Sequence, residues 1–168
     1  MDPHPMTQQT LQQKSAVTTP KSDELRITRV FSAPRELVFK AWTRPEMLVR
    51  WFGCAAFTTT HAAADVRPGG QWRVVMNAPD GEEFPAYGTY LEVRSPDRLS
   101  FTHQWEKPVA GVNPPDHRTV VTVEFFEVEG GTRMEFRQTG LATEASRDSH
   151  IGGWSDSFEA LHKRFQGS

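Results

Sequence analysis

RDSHIGGWSDSFEALHKRFQ, residues 147–166, is the stretch of sequence that decides the fold. Its apolar residues recur at intervals of three and four, which places on one face of an α-helix the residues Ile151, Trp154, Phe158, Leu161 and Phe165. A helix with one broad apolar face needs a complementary surface that buries it. We therefore expect the rest of the chain to supply a sheet on which this helix lies.

Two glycines, Gly152 and Gly153, interrupt the apolar pattern of this helix. Each glycine inside a helix costs about 1 kcal/mol relative to alanine, so some other feature should compensate. Either the helix begins only after them, or their missing side chains permit the close approach of a strand or leave room for a ligand beside Trp154. We favour close approach.

The middle of the chain predicts the sheet, because short runs of alternating apolar and polar residues are separated by turn residues. About seven strands result, over residues 24–31, 57–66, 71–77, 84–93, 99–105, 119–128 and 132–139. Strands in hairpin succession form an antiparallel sheet, and the last helix must cover its apolar face. Two short helices that start near Pro34 and Pro45 follow the first strand.

Length and composition favour a single domain. With 168 residues, 37% of them hydrophobic, the chain can bury one core, which we assign to residues 24–166. Residues 1–23 lack periodic apolar residues, so we expect them to form a disordered or loosely ordered tail. The same residues have no apolar run typical of a secretory signal.

Charge and cysteine content argue against several classes of partner. A formal net charge of −2 gives no field that would attract a nucleic acid, and we expect no such partner. No apolar run approaches the roughly 18 residues of a membrane span. The single cysteine, Cys54, cannot form an internal disulfide, and we expect a cytoplasmic protein. We interpret Cys54 as a small packed hydrophobe rather than a catalytic thiol.

Motifs for metal, nucleophile and phosphate chemistry are missing from the sequence. The six histidines do not stand at a spacing typical of a metal site. No Gly-x-Ser-x-Gly motif is present, and the Pro68-Gly69-Gly70 turn lacks the Lys-Ser/Thr of a P-loop. We expect neither a metal nor a cofactor.

Several short motifs resemble one known family through their order and spacing. They are RVFSAPRELV at 29–38, AWTRPE at 41–46, RWFG at 50–53, PGG at 68–70 with Trp72, PDG at 79–81, GTYLEV at 88–93, Arg98-Leu99 and Gly153-Trp154. Over roughly residues 24–166 the chain resembles the heat-shock-protein-90 ATPase activator C-terminal-like branch of the START-like superfamily, also called the polyketide cyclase/dehydrase and lipid transport superfamily. Where many relatives have proline after the Gly53 equivalent, this chain has Cys54.

The resemblance implies an α+β helix-grip fold. In this START-like fold a curved seven-stranded antiparallel sheet wraps around a long C-terminal helix, with a cavity between them that the two short helices close at one end. Members of the superfamily bind lipids, hormones and polyketides, cyclise some of them, or have no known role. The resemblance therefore implies no single activity.

Aromatic and apolar residues on the faces expected to point inward form the candidate ligand-binding set. Most of them pack in a core, but a sheet that curves around a helix can leave a pocket lined by the same rings. The candidates are Trp51, Trp72, Val74, Met76, Tyr90, His103, Trp105, Phe125, Phe136, Gly153, Trp154 and Phe158.

Two polar residues, His103 and Glu92, are the candidates for acid/base chemistry in such a cavity. The alternation over residues 87–93 is ambiguous, because Tyr87, Leu91 and Val93 compete with Gly88, Tyr90 and Glu92 for the inner face. An inward Glu92 would have a raised pKa and could partner His103. The alternative, which we favour, is a solvent-facing charge paired with Arg73 or Arg94.

Three functions remain open at this point. The leading hypothesis is a protein that binds a hydrophobic or aromatic small molecule in an internal cavity. The second is an enzyme of the cyclase or hydratase type that uses His103 or Glu92 as acid/base. The third is an interaction module like the chaperone-ATPase activator. An open sheet edge also allows a homodimer.

Overall fold

The computed structural model describes residues 15–53, 56–108, 114 and 116–166. Its strands are β1 (Ser15–Lys21), β2 (Glu24–Phe31), β3 (Thr58–Ala64), β4 (Gln71–Asn77), β5 (Glu83–Arg94), β6 (Arg98–Trp105), β7 (Thr119–Val128) and β8 (Gly131–Thr139). Its helices are α1 (Arg35–Thr43), α2 (Pro45–Trp51) and α3 (Glu144–Gln166). The α+β class, the long C-terminal helix and the two short helices after the first predicted strand are confirmed.

All eight strands form one antiparallel sheet in the order β1-β2-β8-β7-β6-β5-β4-β3. Sequence neighbours pair from β3 to β8, as hairpin succession predicts. β2 pairs with its neighbour β1 and also with the distant strand β8, from Glu24 opposite Thr139 to Phe31 opposite Thr132. This pairing brings the first predicted strand beside the last and lets the curved sheet wrap around α3, as a helix-grip fold requires.

The sheet has one strand more than the seven predicted. Residues 15–21, which the sequence assigned to a loosely ordered tail, form β1 and pair with β2. Every residue of β1 is exposed, so the strand has no buried face that apolar alternation could reveal. Pro20 is tolerated because β1 is an edge strand. Residues 1–14 lie outside the described residues, so the prediction of a tail there stays a prediction.

The two short helices pack against each other through their tryptophans. The indole Nε1 of Trp51 on α2 donates a hydrogen bond of 2.9 Å to the Ala41 carbonyl on α1. The rings of Trp42 and Trp51 meet edge to face with centroids 4.8 Å apart. The ring of Trp42 also packs against Phe136 of β8 and Phe158 of α3. The helix pair therefore fills one end of the space between sheet and α3.

Helix α3 runs through both of its glycines. It spans Glu144–Gln166 and buries Trp154, Phe158 and Leu161 against the sheet. A Cβ atom added at Gly152 or at Gly153 would meet no atom within 4 Å outside the helix backbone. The expectation that these glycines permit the close approach of a strand is therefore wrong, and so is the alternative that the helix begins after them.

Candidate functional site

A cavity of about 230 Å³ lies between α3 and the half of the sheet formed by β4, β5 and β6. It is lined by Phe52, Gly53, Phe57, Met76, Phe84, His103, Trp105, Ser149, His150, Gly153, Trp154 and Ser157. His103 and Trp154 are buried, whereas Ser149 is exposed and Phe57, Phe84 and Trp105 are half-buried. The cavity therefore extends from the surface down to an aromatic floor.

One stripe of α3 forms a wall of this cavity. The lining residues Ser149, Gly153 and Ser157 follow one another at intervals of four, so they share a helix face beside the apolar stripe. Their side chains are small or absent, which keeps that face of the helix from filling the space. The space beside Gly153 is open, because a Cβ atom there would meet no atom within 4 Å outside the helix backbone. This placement fits the alternative in which the glycine leaves room for a ligand.

His103 projects from β6 into the floor of the cavity and is 1% exposed. Its ring centroid lies 5.4 Å from that of Trp105, 5.7 Å from that of Trp154 and 5.9 Å from that of His150. Burial, assisted by the nearby His150, lowers the pKa of His103 to about 3. The imidazole is therefore neutral at physiological pH.

His150 is held in one tautomer by its two ring contacts. Its Nε2 lies 3.1 Å from Trp105 Nε1, an obligate donor, so Nε2 is the acceptor. Its Nδ1 then carries the proton and donates to the Ser146 carbonyl at 2.7 Å. Burial lowers the pKa of His150 below its usual value. Both cavity histidines are thus uncharged, and His150 anchors the half-buried Trp105 ring at the cavity wall.

A buried chain of hydrogen bonds fixes the floor. Trp154 Nε1 donates to Gln138 Oε1 at 2.8 Å, and Gln138 Nε2 donates to Thr119 Oγ1 at 2.9 Å. Thr119 Oγ1 in turn donates to the His103 carbonyl at 2.9 Å. Every member is buried, so the chain satisfies groups that would otherwise carry a desolvation penalty. The Trp154 indole is thereby held against the strand that carries His103.

The segment after α2 is tied to α3 at the cavity wall. Gly53 N donates to Ser157 Oγ at 2.9 Å, and the hydroxyl lies within hydrogen-bonding distance of the carbonyls of Gly53 and Gly153. Gly53 has φ +124°, a conformation that favours glycine. Cys54 follows directly but lies outside the described residues, so its predicted role as a packed hydrophobe stays a prediction.

Five of the twelve predicted ligand-binding residues line the cavity. They are Met76, His103, Trp105, Gly153 and Trp154. The other seven lie in the core, and three of these border a space of only about 10 Å³, namely Trp72, Val74 and Tyr90. That space is at the lower limit for one water molecule. The remaining four are packed in the core: Trp51, Phe125, Phe136 and Phe158.

Glu92 lies on the outer face of the sheet, away from His103. Its carboxylate pairs with Arg94 at 2.9 Å and with Arg98 at 2.8 Å. The register of β5 against β6 shifts between Tyr90 and Glu92, because Tyr90 lies opposite Phe101 but Glu92 opposite Ser100. The irregularity breaks the two-residue alternation, so Tyr90 is buried while Glu92 faces outward. Glu92 is therefore not an acid/base partner for His103. Of the two arginines expected to pair with it, Arg94 does so, whereas Arg73 pairs with Glu106.

Seven lining residues were not predicted from the sequence: Phe52, Gly53, Phe57, Phe84, Ser149, His150 and Ser157. A signal for two of them, Ser149 and Ser157, exists in the helix, where they stand four residues before and four residues after Gly153. Phe57, just before β3, and Phe84 of β5 meet with ring centroids 5.5 Å apart, a contact that depends on how the strands are arranged in the sheet. Only the folded sheet reveals that pair.

Within the described part of the chain, no group of three or more His, Cys, Asp or Glu side chains is arranged to hold a metal ion. Among the same residues, none of the helices combines the length and apolar character needed to cross a bilayer.

Comparisons with known proteins agree with this architecture. A model of the family "Activator of Hsp90 ATPase homolog 1-like protein" matches residues 32–166. No curated protein is significantly similar to the chain.

Solved structures with the same fold come from several bacteria. One from Nitrosomonas europaea has a TM-score of 0.71 and 26% identity, over 86% of this chain and 95% of that one. One from Rhodobacter sphaeroides has a TM-score of 0.76 and 21% identity, over 92% and 99%. A Silicibacter pomeroyi protein that carries the name of the matched family has a TM-score of 0.72 and 21% identity, over 84% and 96%.

Proposed function

We propose, from the premise that this chain belongs to the family of activator of Hsp90 ATPase homolog 1-like proteins, that it binds a hydrophobic or aromatic small molecule between its sheet and α3. The family and its fold are consistent with a ligand-binding type of domain. The observation that carries the proposal is the cavity of about 230 Å³ with its aromatic lining and the open face at Gly153.

The size and lining of the cavity support a small apolar ligand. Its volume of about 230 Å³ exceeds that of an engineered apolar cavity of about 150 Å³ that binds benzene. It is smaller than the pockets of about 300 Å³ and above that hold drug-sized molecules. Aromatic side chains around it offer both apolar area and stacking surfaces. A compact ligand of one or two rings is therefore the best match.

The hypothesis of a cyclase or hydratase loses its proposed acid/base pair. Glu92 is ion-paired on the outer face of the sheet, and both ring nitrogens of His150 are engaged in hydrogen bonds. Only His103 remains of the predicted pair in the cavity. We accordingly propose binding rather than catalysis. A cytoplasmic location and a homodimer through the open sheet edges stay predictions.

Filling the cavity tests the proposal. Gly153→Leu places a side chain in open space at the cavity wall, whereas Gly152→Leu places the same side chain at an exposed position on the same helix. Both exchanges replace a glycine in α3 by a good helix former, so both variants should fold at least as stably as the parent.

Binding of each compound in a panel of neutral aromatics and lipids is measured by thermal shift and by intrinsic tryptophan fluorescence, to which Trp105 and Trp154 at the cavity contribute. We expect Gly153→Leu to abolish the response and Gly152→Leu to retain it. If no compound shifts the melting temperature of the parent, or if both variants respond alike, the cavity is not a binding site.

A further inference from the structure

Among the described residues around it, the cavity combines an apolar lining with one buried polar side chain whose hydrogen-bonding capacity is incompletely used. His150 engages both of its ring nitrogens, and Ser157 is bonded to the Gly53 backbone. The imidazole of His103, in contrast, forms no hydrogen bond to another residue in the part of the chain that the structure describes, and its buried Nδ1 atom has no partner. A buried polar group without a partner costs about 1–3 kcal/mol, so a group that bonds to this imidazole is favoured there.

The chemistry of a neutral imidazole narrows the choice of that group. One ring nitrogen donates and the other accepts, and the tautomer of His103 is not fixed by a protein partner at Nδ1. A hydroxyl can donate or accept, so it matches either tautomer. The ring is surrounded by Trp72, Trp105, Trp154 and His150, so a ligand polar group that reaches it would leave water for an aromatic environment.

The charge of the lining argues against an anionic ligand. Among the lining residues that the structure describes, none has the side chain of Asp, Glu, Lys or Arg, and the two histidines are neutral. A carboxylate placed in this cavity would lose hydration without gaining a cation, which is strongly unfavourable. A hydroxyl pays a far smaller desolvation penalty and recovers it through one hydrogen bond.

We propose, building on the ligand binding proposed above, that the cavity takes an uncharged hydroxylated aromatic molecule, of one substituted ring or two fused rings, whose hydroxyl hydrogen-bonds to His103. The rings of Phe52, Phe84 and Trp105 pack around the ligand ring, while His103 marks the floor that its hydroxyl reaches.

Three probes of similar shape test this assignment: 4-ethylphenol, ethylbenzene and 4-ethylbenzoate, titrated calorimetrically into the full chain at pH 7. We expect 4-ethylphenol to bind about tenfold more tightly than ethylbenzene, the equivalent of one hydrogen bond. We expect 4-ethylbenzoate to bind roughly a hundredfold more weakly than the phenol.

His103→Leu removes the proposed hydrogen bond without introducing a charge, and it should lower the ratio of the affinities for the phenol and ethylbenzene from about ten to about one. Gln104→Leu, next along β6 and outside the cavity lining, is the matched control and should keep the parent ratio. If the His103 variant does not fold, the affinities of the parent protein for the three probes still test whether the cavity prefers an uncharged hydroxylated ligand.

The outcomes separate this assignment from the binding function on which it rests. Equal affinities for phenol and ethylbenzene that are both lost in Gly153→Leu would overturn the role of His103 while leaving the cavity a binding site. Tight binding of the benzoate would overturn the exclusion of anions. Failure of all three probes, together with failure of the wider panel, would overturn the binding function itself.

Discussion

Two ends of the same helix–sheet interface carry similar aromatic residues and differ in what they leave open. At the packed end, the rings of Trp42, Trp51, Phe136 and Phe158 meet one another, with centroids from 4.8 to 6.3 Å apart. At the open end, Phe57, Phe84, Trp105 and Trp154 surround a cavity of about 230 Å³. The number of aromatic rings therefore does not decide whether a region is core or pocket.

The difference arises from what faces the sheet at each end. At the packed end, α3 presents the large side chains of Phe158 and Leu161, and α1 adds Trp42 beneath them. At the open end, the same helix presents Ser149, Gly153 and Ser157, and Phe52, directly after α2, contributes to the lining. Small residues on one helix stripe, opposite rings on the sheet, thus keep space for a ligand.

The largest expected effect is on the free energy of unfolding, which truncation of an aromatic side chain should lower much more at the packed end than at the open end. Phe158 is fully buried at the packed end, so Phe158→Ala should lower the free energy of unfolding by about 3–5 kcal/mol. Phe84 is half-buried at the open end, and Phe84→Ala should cost only about 1 kcal/mol. Urea denaturation of the two variants measures both values. Equal costs would show that the open end is packed as tightly as the core.

The next effect is a pH dependence that comes from the open end. The pKa of His103 is about 3 in the folded state and about 6.5 when unfolded, so the native state favours the neutral imidazole. This contribution to stability is fully present above pH 6.5 and is lost as the pH falls toward 3, by at most about 1.4 kcal/mol per pH unit.

His103→Leu should flatten the fall in unfolding free energy between pH 6.5 and 4, as followed by denaturation at stepped pH. His61→Leu, at an exposed position on β3, is the control and should keep the parent slope. An unchanged slope in the His103 variant would mean that this histidine is accessible to protons in the folded protein.

The smallest effect concerns Glu92, which belongs to neither end. Its pairs with Arg94 and Arg98 are on the outer face, so Glu92→Gln should change the unfolding free energy by about 0.5 kcal/mol or less. Ligand affinity should be unaffected. A loss of binding or of any catalysed reaction in this variant would restore Glu92 as a functional residue and contradict its placement outside the cavity.

How far the sequence predicts the structure depends on whether a residue has a buried face. The apolar periodicity of α3 and of seven strands was sufficient to predict an antiparallel sheet covered by a long helix, because burial imposes that periodicity. The helix-grip arrangement came from the family resemblance. β1 was not predicted, because all seven of its residues are exposed and its pairing with β2 rests on backbone hydrogen bonds. Local alternation also left residues 87–93 ambiguous, because a register shift near Glu92 moves one residue to the other face.

The candidate site was only partly predictable for a related reason. Apolar character identified residues that point inward, such as Trp105 and Phe136, but it did not distinguish the wall of a cavity from the packed core. That distinction depends on the volume of the residues that face them. Gly153 was among the predicted residues and lines the cavity, but close approach of a strand was the favoured explanation for it, whereas the space around it is open.

Side-chain nuclear magnetic resonance of the five tryptophans tests the central claim most directly. In a titration of the full chain with 4-ethylphenol, the indole N–H signals of Trp105 and Trp154 at the cavity should shift, while that of Trp51 at the packed end should remain in place. Absence of any shift, or a shift of Trp51 as large as that of Trp105, would contradict the assignment of the open end as the binding site.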